Sequence, residues 1–245
     1  MSAQSPHHVT APQNATSAGR RQAIALGGTQ LIACADGTLY WPARQTLIVA
    51  DLHFEKGSAF AMRGQMLPPY DTRETLCRLA AALAAHPVDT VIALGDSLHD
   101  IWAGGRIAPI DLTLLRSLQN GRSWVWVAGN HDPKVPGILG GTAAEQLVLD
   151  GISLCHVPSS DTQALEIAGH MHPAARLLSR GQSVRRRCFA ASGTRLILPA
   201  FGAFTGGLNV MDPAFDRHLG QTSRRVWMLG SEGLYPVPLR MLIAD

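Results

Sequence analysis

Residues 46–53 read TLIVADLH, an apolar run that ends directly in Asp51, Leu52 and His53. Two later stretches repeat this arrangement: residues 90–96 read TVIALGD, and residues 124–132 read WVWVAGNHD. A continuous apolar run of this length is typical of a strand whose two faces are both covered. Open α/β sheets bind ligands at the carboxyl ends of their strands, so the sequence predicts a functional site at this edge.

The elements around these strands predict the fold class. A helix is expected over residues 71–86, with Asp71 as its cap, and another over about 110–120, ending at Gly121. Further strands are expected in the second half at LVLDGISLCH (147–156), LEIAGH (165–170), RCFA (187–190), RLILPAF (195–201) and RVWML (225–229). Strand–helix alternation followed by a mainly β half predicts an α/β fold in which two packed mixed β-sheets are flanked by helices.

Composition narrows the class of protein. With 245 residues, 46% of them hydrophobic and 16% charged, the chain can bury a large core and is not a disordered protein. Residues 1–22 are predicted to form a flexible tail and residues 23–245 a single domain. Because no apolar run approaches the ~20 residues of a membrane span and the polar N-terminus resembles no signal peptide, we expect a cytoplasmic protein without a membrane partner.

The cysteines and the net charge bear on the redox state of the protein and on the kind of partner it binds. The four cysteines, Cys34, Cys77, Cys155 and Cys188, form no C-x-x-C pair and are expected to be reduced and buried. The 21 basic residues comprise 19 Arg and 2 Lys, and the net charge is +3. This excess is compatible with a phosphate-rich partner but does not establish one.

Five polar motifs follow apolar runs in order along the chain. They are Asp51-Leu52-His53, Gly95-Asp96, Gly129-Asn130-His131-Asp132, His156 and Gly169-His170-Met171-His172. In an extended chain, residues i and i+2 lie on the same side, so Asp51 and His53 are expected to converge on one ion, and His170 and His172 on one ion or on two neighbouring ions. A single histidine after a strand is more often a hydrogen-bonded core or loop residue, but packing does not explain five such motifs. The mixed N/O donors suit Mn²⁺, Fe or Zn²⁺.

This order of motifs, D-x-H, G-D, G-N-H-D, H and G-H-x-H between about residues 47 and 173, resembles the calcineurin-like metallophosphoesterase superfamily. The longer stretches ADLHFEKG, RGQMLPPYDT, LGDSLHD, GNHDP, AGHMHP and LPAFGAFTGGLNV resemble the bacterial ligase-associated DNA damage response endonucleases and extend the match to about residue 210. The resemblance implies a four-layer αββα sandwich.

The resemblance also implies a set of metal ligands for two divalent ions, with Mn²⁺ expected first and Fe or Zn²⁺ as alternatives. One ion is implied to bind Asp51, His53, Asp96 and His172. The other is implied to bind Asp96, Asn130, His156 and His170. Asp96 is thus the implied bridge, a role that suits a carboxylate because it faces two cations at once.

Three further residues are catalytic candidates. In the superfamily the histidine at the position of His131 protonates the leaving oxygen; the alternative is that His131 only packs beside Asn130. His99 stands where many phosphatases of the superfamily have an aspartate, and repair nucleases of the superfamily share this G-D-x-x-H pattern, which favours a diesterase. Asp132 or Asp100 is a candidate to orient His131.

Substrate contacts are less specific. Lys56 and Arg63 are candidates for phosphate binding or for solvated surface positions. The arginines after the last motif are candidates for backbone binding or for a solvated turn. These arginines are Arg176, Arg180, Arg185, Arg186 and Arg187. Phe201 and Phe204 are expected to stack on bases or to pack in the core, with at least one of them in the core.

The resemblance implies a phosphodiesterase that hydrolyses DNA, an endonuclease preferring single strands, which acts in repair with a helicase and a DNA ligase. A phosphoesterase for a small nucleotide or another small ester is the first alternative. A metal-free scaffold is the second, and the intact ligand set argues against it.

Overall fold

The computed structural model describes residues 19–161, 163–179 and 181–245. The first strand begins at Arg21, two residues before the expected domain boundary at 23, and most of the predicted tail lies outside the described residues, as does Arg180. Within the described ranges, no helix is long and apolar enough to cross a membrane.

The first sheet is built from seven strands in chain order. Their bounds are β1 Arg21–Leu26, β2 Thr29–Cys34, β3 Leu39–Trp41, β4 Thr46–Ala50, β5 Thr90–Leu94, β6 Ser123–Val127 and β7 Thr142–Ala144. Neighbouring strands from β1 to β4 are antiparallel, and those from β4 to β7 are parallel. The parallel half therefore directs the carboxyl ends of β4, β5 and β6 to the same edge.

The second sheet contains the rest of the described strands. They are β8 Leu147–Leu149, β9 Ile152–Cys155, β10 Glu166–Ala168, β11 Pro173–Ser179, β12 Gln182–Ala191, β13 Arg195–Ile197, β14 Leu208–Asn209, β15 Arg225–Leu229 and β16 Leu234–Val237. The order is β14-β11-β12-β13-β10-β9-β8, with β15 pairing both β12 and β16. Because β9 and β10 are parallel neighbours, their carboxyl ends also lie at one edge.

Helices cover the outer faces of the sheets. They are α1 Lys56–Ala61, α2 Asp71–Ala84, α3 Pro109–Gln119 and α4 Asp216–Leu219. Leucines of α2 and α3 pack on the first sheet, and Leu219 of α4 packs on the second. The predicted cap of α2 is wrong by one residue, since Tyr70 is the N-cap and the Asp71 carboxylate instead accepts a hydrogen bond from the Gly57 amide at 3.1 Å.

The core explains the apolar runs of the sequence. In β4, Ile48 and Ala50 face the cluster between the two sheets, whereas Leu47 and Val49 face the cluster beneath the helices. Both faces of the strand are buried, so every position in it is apolar or, at Thr46, enclosed. The predicted α/β fold with two packed mixed sheets and flanking helices is confirmed.

Two expectations are corrected. All four cysteines are free, but Cys77 is exposed and Cys155 is only half-buried. The arginines 185–187 do not form a solvated turn, because β12 continues through them and pairs with β11 up to Ser179–Gln182. Arginine can lie in a strand because its long apolar stem packs along the sheet while its charged group reaches solvent or a partner. The sequence pattern therefore did not distinguish a strand from a loop here.

Candidate metal centre

The five motif loops converge where the two sheets meet at their carboxyl edges. Loops after β4 and β5 are joined by a hydrogen bond from the His53 amide to the Asp96 carbonyl at 2.9 Å. Loops after β9 and β10 are joined by the Gly169 amide and the His156 carbonyl at 3.0 Å. The two pairs of loops meet where the His170 amide lies 3.1 Å from Asp51 Oδ2. Each sheet thus contributes side chains to one shared site.

The backbone holds most of these residues in an uncommon conformation. Positive φ angles occur at Asp51 (56°), His53 (46°), Asp96 (45°), His170 (66°) and His172 (45°). The expectation that i and i+2 converge on an extended chain is therefore wrong in its reason, since neither pair is extended. Non-glycine residues with positive φ are strained and cluster at functional sites, where surrounding structure fixes them.

Two glycines permit the close approach of these loops. Gly95 has φ of +69°, and a Cβ on it would overlap the ring of His156. A Cβ on Gly129 would overlap the amide and carboxylate of Asp96 and lie 2.6 Å from Asp132 Oδ1. Any side chain at either position would force the donor groups apart.

One group of metal-ligating side chains comprises Asp51, His53 and His172. His172 Nε2 lies 3.2 Å from Asp51 Oδ1 and 3.4 Å from His53 Nε2. Asp51 is fully buried, and His53 is 5% exposed. Burial, with the nearby His172 second, lowers the pKa of His53, so this imidazole is neutral and its nitrogen lone pair is free to bind a cation.

A second group comprises Asp96, His156 and His170. His156 Nε2 lies 3.4 Å from Asp96 Oδ1 and 3.2 Å from His170 Nδ1. His156 Nδ1 lies 3.0 Å from the Leu94 carbonyl oxygen, which only accepts, so Nδ1 carries the proton and Nε2 is left with its lone pair. A backbone carbonyl that fixes the tautomer in this way is typical of metal-ligating histidines.

Asp96 lies between the two groups. Its Oδ1 faces His156, whereas its Oδ2 lies 3.8 Å from His53 Nε2. Burial alone raises the pKa of Asp96, but its interactions with His156 and the hydrogen bond from the His131 amide outweigh it, and the pKa falls below its ordinary value. An ionised carboxylate with one oxygen toward each group has the geometry of a bridge.

The donor set fits divalent metal ions. Metal–ligand bonds of about 2.0–2.2 Å at tetrahedral or octahedral angles separate neighbouring donor atoms by about 3 to 3.6 Å. In each group the two separations given above, 3.2 and 3.4 Å, fall in this range. Oxygen and imidazole donors without thiolate suit divalent first-row ions. Asn130 lies in the same loop as His131, and its side chain is exposed.

His131 and His99 lie at the rim of this centre. His131 Nδ1 is 2.6 Å from the His99 carbonyl oxygen, and its Nε2 is 3.9 Å from Asp96 Oδ2. The amide of His131 also donates to Asp96 Oδ1 at 2.9 Å. The ring of His99 stacks on that of His131, and burial, followed by the charges of Lys56 and His131, lowers the pKa of His99 to about 4. His53, His99 and His131 form a third group of potential metal-ligating side chains, which the sequence analysis did not predict as a group.

The two candidate orienting carboxylates are engaged elsewhere. Asp132 is buried and accepts from the Leu98 amide at 2.9 Å and the Gly129 amide at 3.1 Å. Burial, together with the charge of Asp96, raises the pKa of Asp132 to about 6. Asp100 pairs with Arg106. The group that faces His131 Nδ1 is the backbone carbonyl of His99, and Asp132 instead ties the loop of His131 to that of Asp96.

Lys56 and Arg63 both lie near the centre. Arg63 lines a groove of about 490 Å³ together with His131 and Trp102, and its guanidinium forms no hydrogen bond or ion pair with any described residue. Lys56 is half-buried beside Phe60, and burial lowers its pKa. These positions are compatible with phosphate binding.

The arginines of β12 are placed differently. Arg185 pairs with Asp245, and Arg187 donates to the carbonyl oxygens of Ala200 at 2.7 Å and Gly202 at 3.2 Å. Burial lowers the pKa of Arg187 to about 10. Arg186 is exposed and lines neither groove that opens at the ligands. The side chains of these three arginines therefore do not form one cluster, and Arg176 hydrogen-bonds Ser183.

A second groove, of about 630 Å³, opens at His170 and His172. Arg217 and His218 of α4 line its other end, and sequence reasoning missed both because they follow the last motif by some 45 residues. The Arg217 guanidinium has no hydrogen bond or ion pair within the described ranges. Phe201 is buried in the core, as expected for one of the two phenylalanines, and Phe204 is half-buried.

The chain was compared with protein families and with solved structures. The family model for the calcineurin-like phosphoesterase matches residues 45–177. The crystal structure of the nuclease MPE from Pseudomonas putida is 32% identical, with a TM-score of 0.68, and the match covers 89% of this chain and all of that one. A protein of unknown function, AQ665 from Aquifex aeolicus, is 19% identical, with a TM-score of 0.37, over 55% of this chain and 80% of that one.

A comparison with curated proteins found no match. The family model spans more than half of the chain and contains the motifs from Asp51 to His172, and the paired Asp/His donor groups are those of a metal-dependent hydrolase of phosphate esters. The chain belongs to the calcineurin-like phosphoesterase family.

Proposed function

We propose that this phosphoesterase is a nuclease that holds two divalent ions and hydrolyses phosphodiester bonds within DNA strands. The observation that carries the proposal is the position of the donor groups beside two grooves: one opens at His170 and His172, and the other is lined by His131, whose Nε2 lies 3.9 Å from Asp96 Oδ2. Each groove contains an arginine without a protein partner in the described chain, Arg217 or Arg63. A diester that continues as a polymer on both sides of the scissile phosphate would use both grooves.

The proposed ligands follow the geometry above. Asp51, His53 and His172 would hold one ion and His156, His170 and Asn130 the other, with Asp96 between them. When bound, two such ions would supply positive charge to the phosphate oxygens and lower the pKa of water. Mn²⁺ is the proposed ion, with Fe and Zn²⁺ as alternatives, because hard carboxylate and borderline imidazole donors are mixed.

His131 is the proposed general acid. Its Nδ1 proton is held by the His99 carbonyl at 2.6 Å, so the ring is oriented and only Nε2 is available to exchange a proton with the leaving oxygen. The side chain is 45% exposed, and solvent can therefore return the proton after each turnover. Asp132 is proposed to act as a positioning residue, since it fixes the loop that carries His131 without touching the ring.

The proposed substrate is a single strand of DNA. The nuclease from P. putida supports a nucleic acid, because it matches this chain over its whole length. An open groove suits a flexible single strand, and a net charge of +3 favours a polyanion. Repair with a helicase and a DNA ligase, and a cytoplasmic location, belong to the same proposal and rest on the sequence and its resemblance alone.

The alternative is a phosphoesterase for a small nucleotide or another small ester. Both substrates would engage the same donor groups, so the grooves are the only features that separate the two functions. A free arginine in each groove favours the longer substrate.

The test is hydrolysis by the metal-loaded protein of three substrates: single-stranded DNA, the same sequence as a duplex, and a small nitrophenyl diester. We expect internal cleavage of the single strand, slower cleavage of the duplex, and loss of both with a chelator. The matched control is Asp96→Asn, which removes contaminating nuclease as an explanation. Turnover of the small diester with no cleavage of either DNA would establish the alternative instead.

A further inference from the structure

Trp102 is an exposed aromatic residue beside the proposed acid. Its surface is 73% exposed, and it lines the same groove as His131 and Arg63. Its neighbours Ile101 and Met62, which also line this groove, are 64% and 75% exposed. Indole is seldom left in water over most of its area, and a contiguous apolar patch at the edge of a site is typical of a binding surface.

The backbone that carries Trp102 is held firmly. The Trp102 amide donates to Asp100 Oδ1 at 2.8 Å, and the other oxygen of Asp100 pairs with Arg106 at 2.7 Å. Arg106 in turn donates to Ser58 Oγ at 2.9 Å, which connects this loop to α1. Ala103, the next residue, is fully buried. The indole is therefore held at the surface by an ordered loop, which lowers the entropic cost of stacking a ligand on it.

The position of this loop indicates which part of the substrate the indole would contact. The loop starts at His99, whose carbonyl orients His131, and His131 is the proposed donor to the leaving oxygen. A group that leaves with the proton of His131 enters the groove that His131 lines, where Trp102 and Arg63 also lie.

We propose that Trp102 stacks on the base of the departing nucleotide, with Arg63 beside the phosphate that follows it. This inference rests on the proposed nuclease function and deepens it. Every base has a flat π face, so the contact is independent of base identity. A base within a duplex has both faces covered by its neighbours, and hence the contact favours a single strand. A partner protein covering the same patch would be a different occupant.

The experiment compares Trp102→Ala and Trp102→Phe with the parent protein, all loaded with Mn²⁺. Tyr235→Ala on β16 is the matched control, since Tyr235 is also an exposed aromatic residue and lines neither groove at the centre. One substrate is an oligothymidylate, and kcat/KM for its cleavage is measured. The second strand has the same phosphates but only abasic sugars, and its Ki as a competitor is measured, so the comparison does not require that it be cleaved.

For Trp102→Ala we expect kcat/KM on oligothymidylate to fall about 5- to 150-fold, the usual effect of losing one base–aromatic stack. Trp102→Phe should recover most of this loss, and Tyr235→Ala should match the parent. The Ki of the abasic strand should be the same for Trp102→Ala and the parent, because no base is present to stack.

An unchanged kcat/KM in Trp102→Ala would overturn the inference and leave a partner protein as the occupant of the patch. An equal weakening of the abasic competitor would also overturn it, since the residue would then act through the backbone or the fold. A parent protein that cleaves no DNA would refute the proposed function itself, which is a separate result.

Discussion

Two sets of charged or polar residues in this molecule differ in how the fold arranges them in space. The loops after β4, β5, β9 and β10 come from positions scattered over more than 120 residues, yet their side chains meet in two donor groups. Arg185, Arg186 and Arg187 are consecutive in β12, yet they diverge to separate partners. Parallel strands gather their carboxyl ends, whereas a single strand alternates its side chains between two faces. Distance along the sequence is therefore a poor guide to shared function.

The largest expected effect comes from replacing Asp96, which lies between the two donor groups. Asp96→Asn removes the charge of the carboxylate that faces both donor groups, so turnover should be abolished and the metal content should fall to one ion or none per chain. Elemental analysis together with the DNA cleavage assay measures both. A variant that retained two ions per chain would show that Asp96 is not the shared ligand.

His131→Ala tests a residue at the rim of the same loops. The ring binds no proposed ion, so both metals should remain, while the rate on a poor leaving group should fall ~10²–10⁴-fold. A nitrophenyl ester, which leaves without protonation, should be affected much less. Equal losses on the two substrates would remove the acid role.

Substitutions of the β12 arginines are expected to differ in their effect on the stability of the protein rather than on its activity. Arg187→Ala leaves the carbonyls of Ala200 and Gly202 without their charged donor, which should lower the free energy of unfolding by about 1.5–3 kcal/mol. Arg186→Ala, its exposed neighbour, is the matched control and should change it by less than about 0.5 kcal/mol. Denaturant unfolding measures both, and equal effects would contradict the division described above.

The smallest expected effect concerns DNA binding and compares an arginine of the groove with an arginine of β12. Arg63→Ala should reduce the slope of log K against log salt for single-stranded DNA by about 0.7, the value for one phosphate contact. Arg186→Ala should leave the slope unchanged, although it removes the same charge. A reduced slope in both variants would mean that overall charge, rather than the groove, attracts the strand.

The elements that could be predicted from sequence are those with a local physical signal. The buried strands around residues 46–50, 90–94 and 123–127 were predictable, because a strand covered on both faces must be apolar throughout. The donor residues were candidates because several polar motifs each followed such a strand. The extension of β12 through its arginines had no such signal, since tertiary pairing with β11 overrides the charge pattern.

Other features depend on long-range packing that no local pattern encodes. The positive φ angles at Asp51 and His172 are imposed by contacts between loops, so the extended-chain argument predicted the closeness of Asp51 and His53 for a wrong reason. The orientation of His131 depends on a backbone carbonyl, which carries no sequence signature. Arg217 reaches the second groove only because α4 packs against the second sheet.

The central claim is that two donor groups joined by Asp96 form one dinuclear centre for cleaving DNA. Its most direct test is to strip the protein with a chelator and add back Mn²⁺ stepwise, while cleavage of single-stranded DNA is recorded against metal bound per chain. The account predicts little activity at one equivalent and full activity at two, because both groups act on the same phosphate. Full activity at one equivalent, or in the stripped protein, would contradict it.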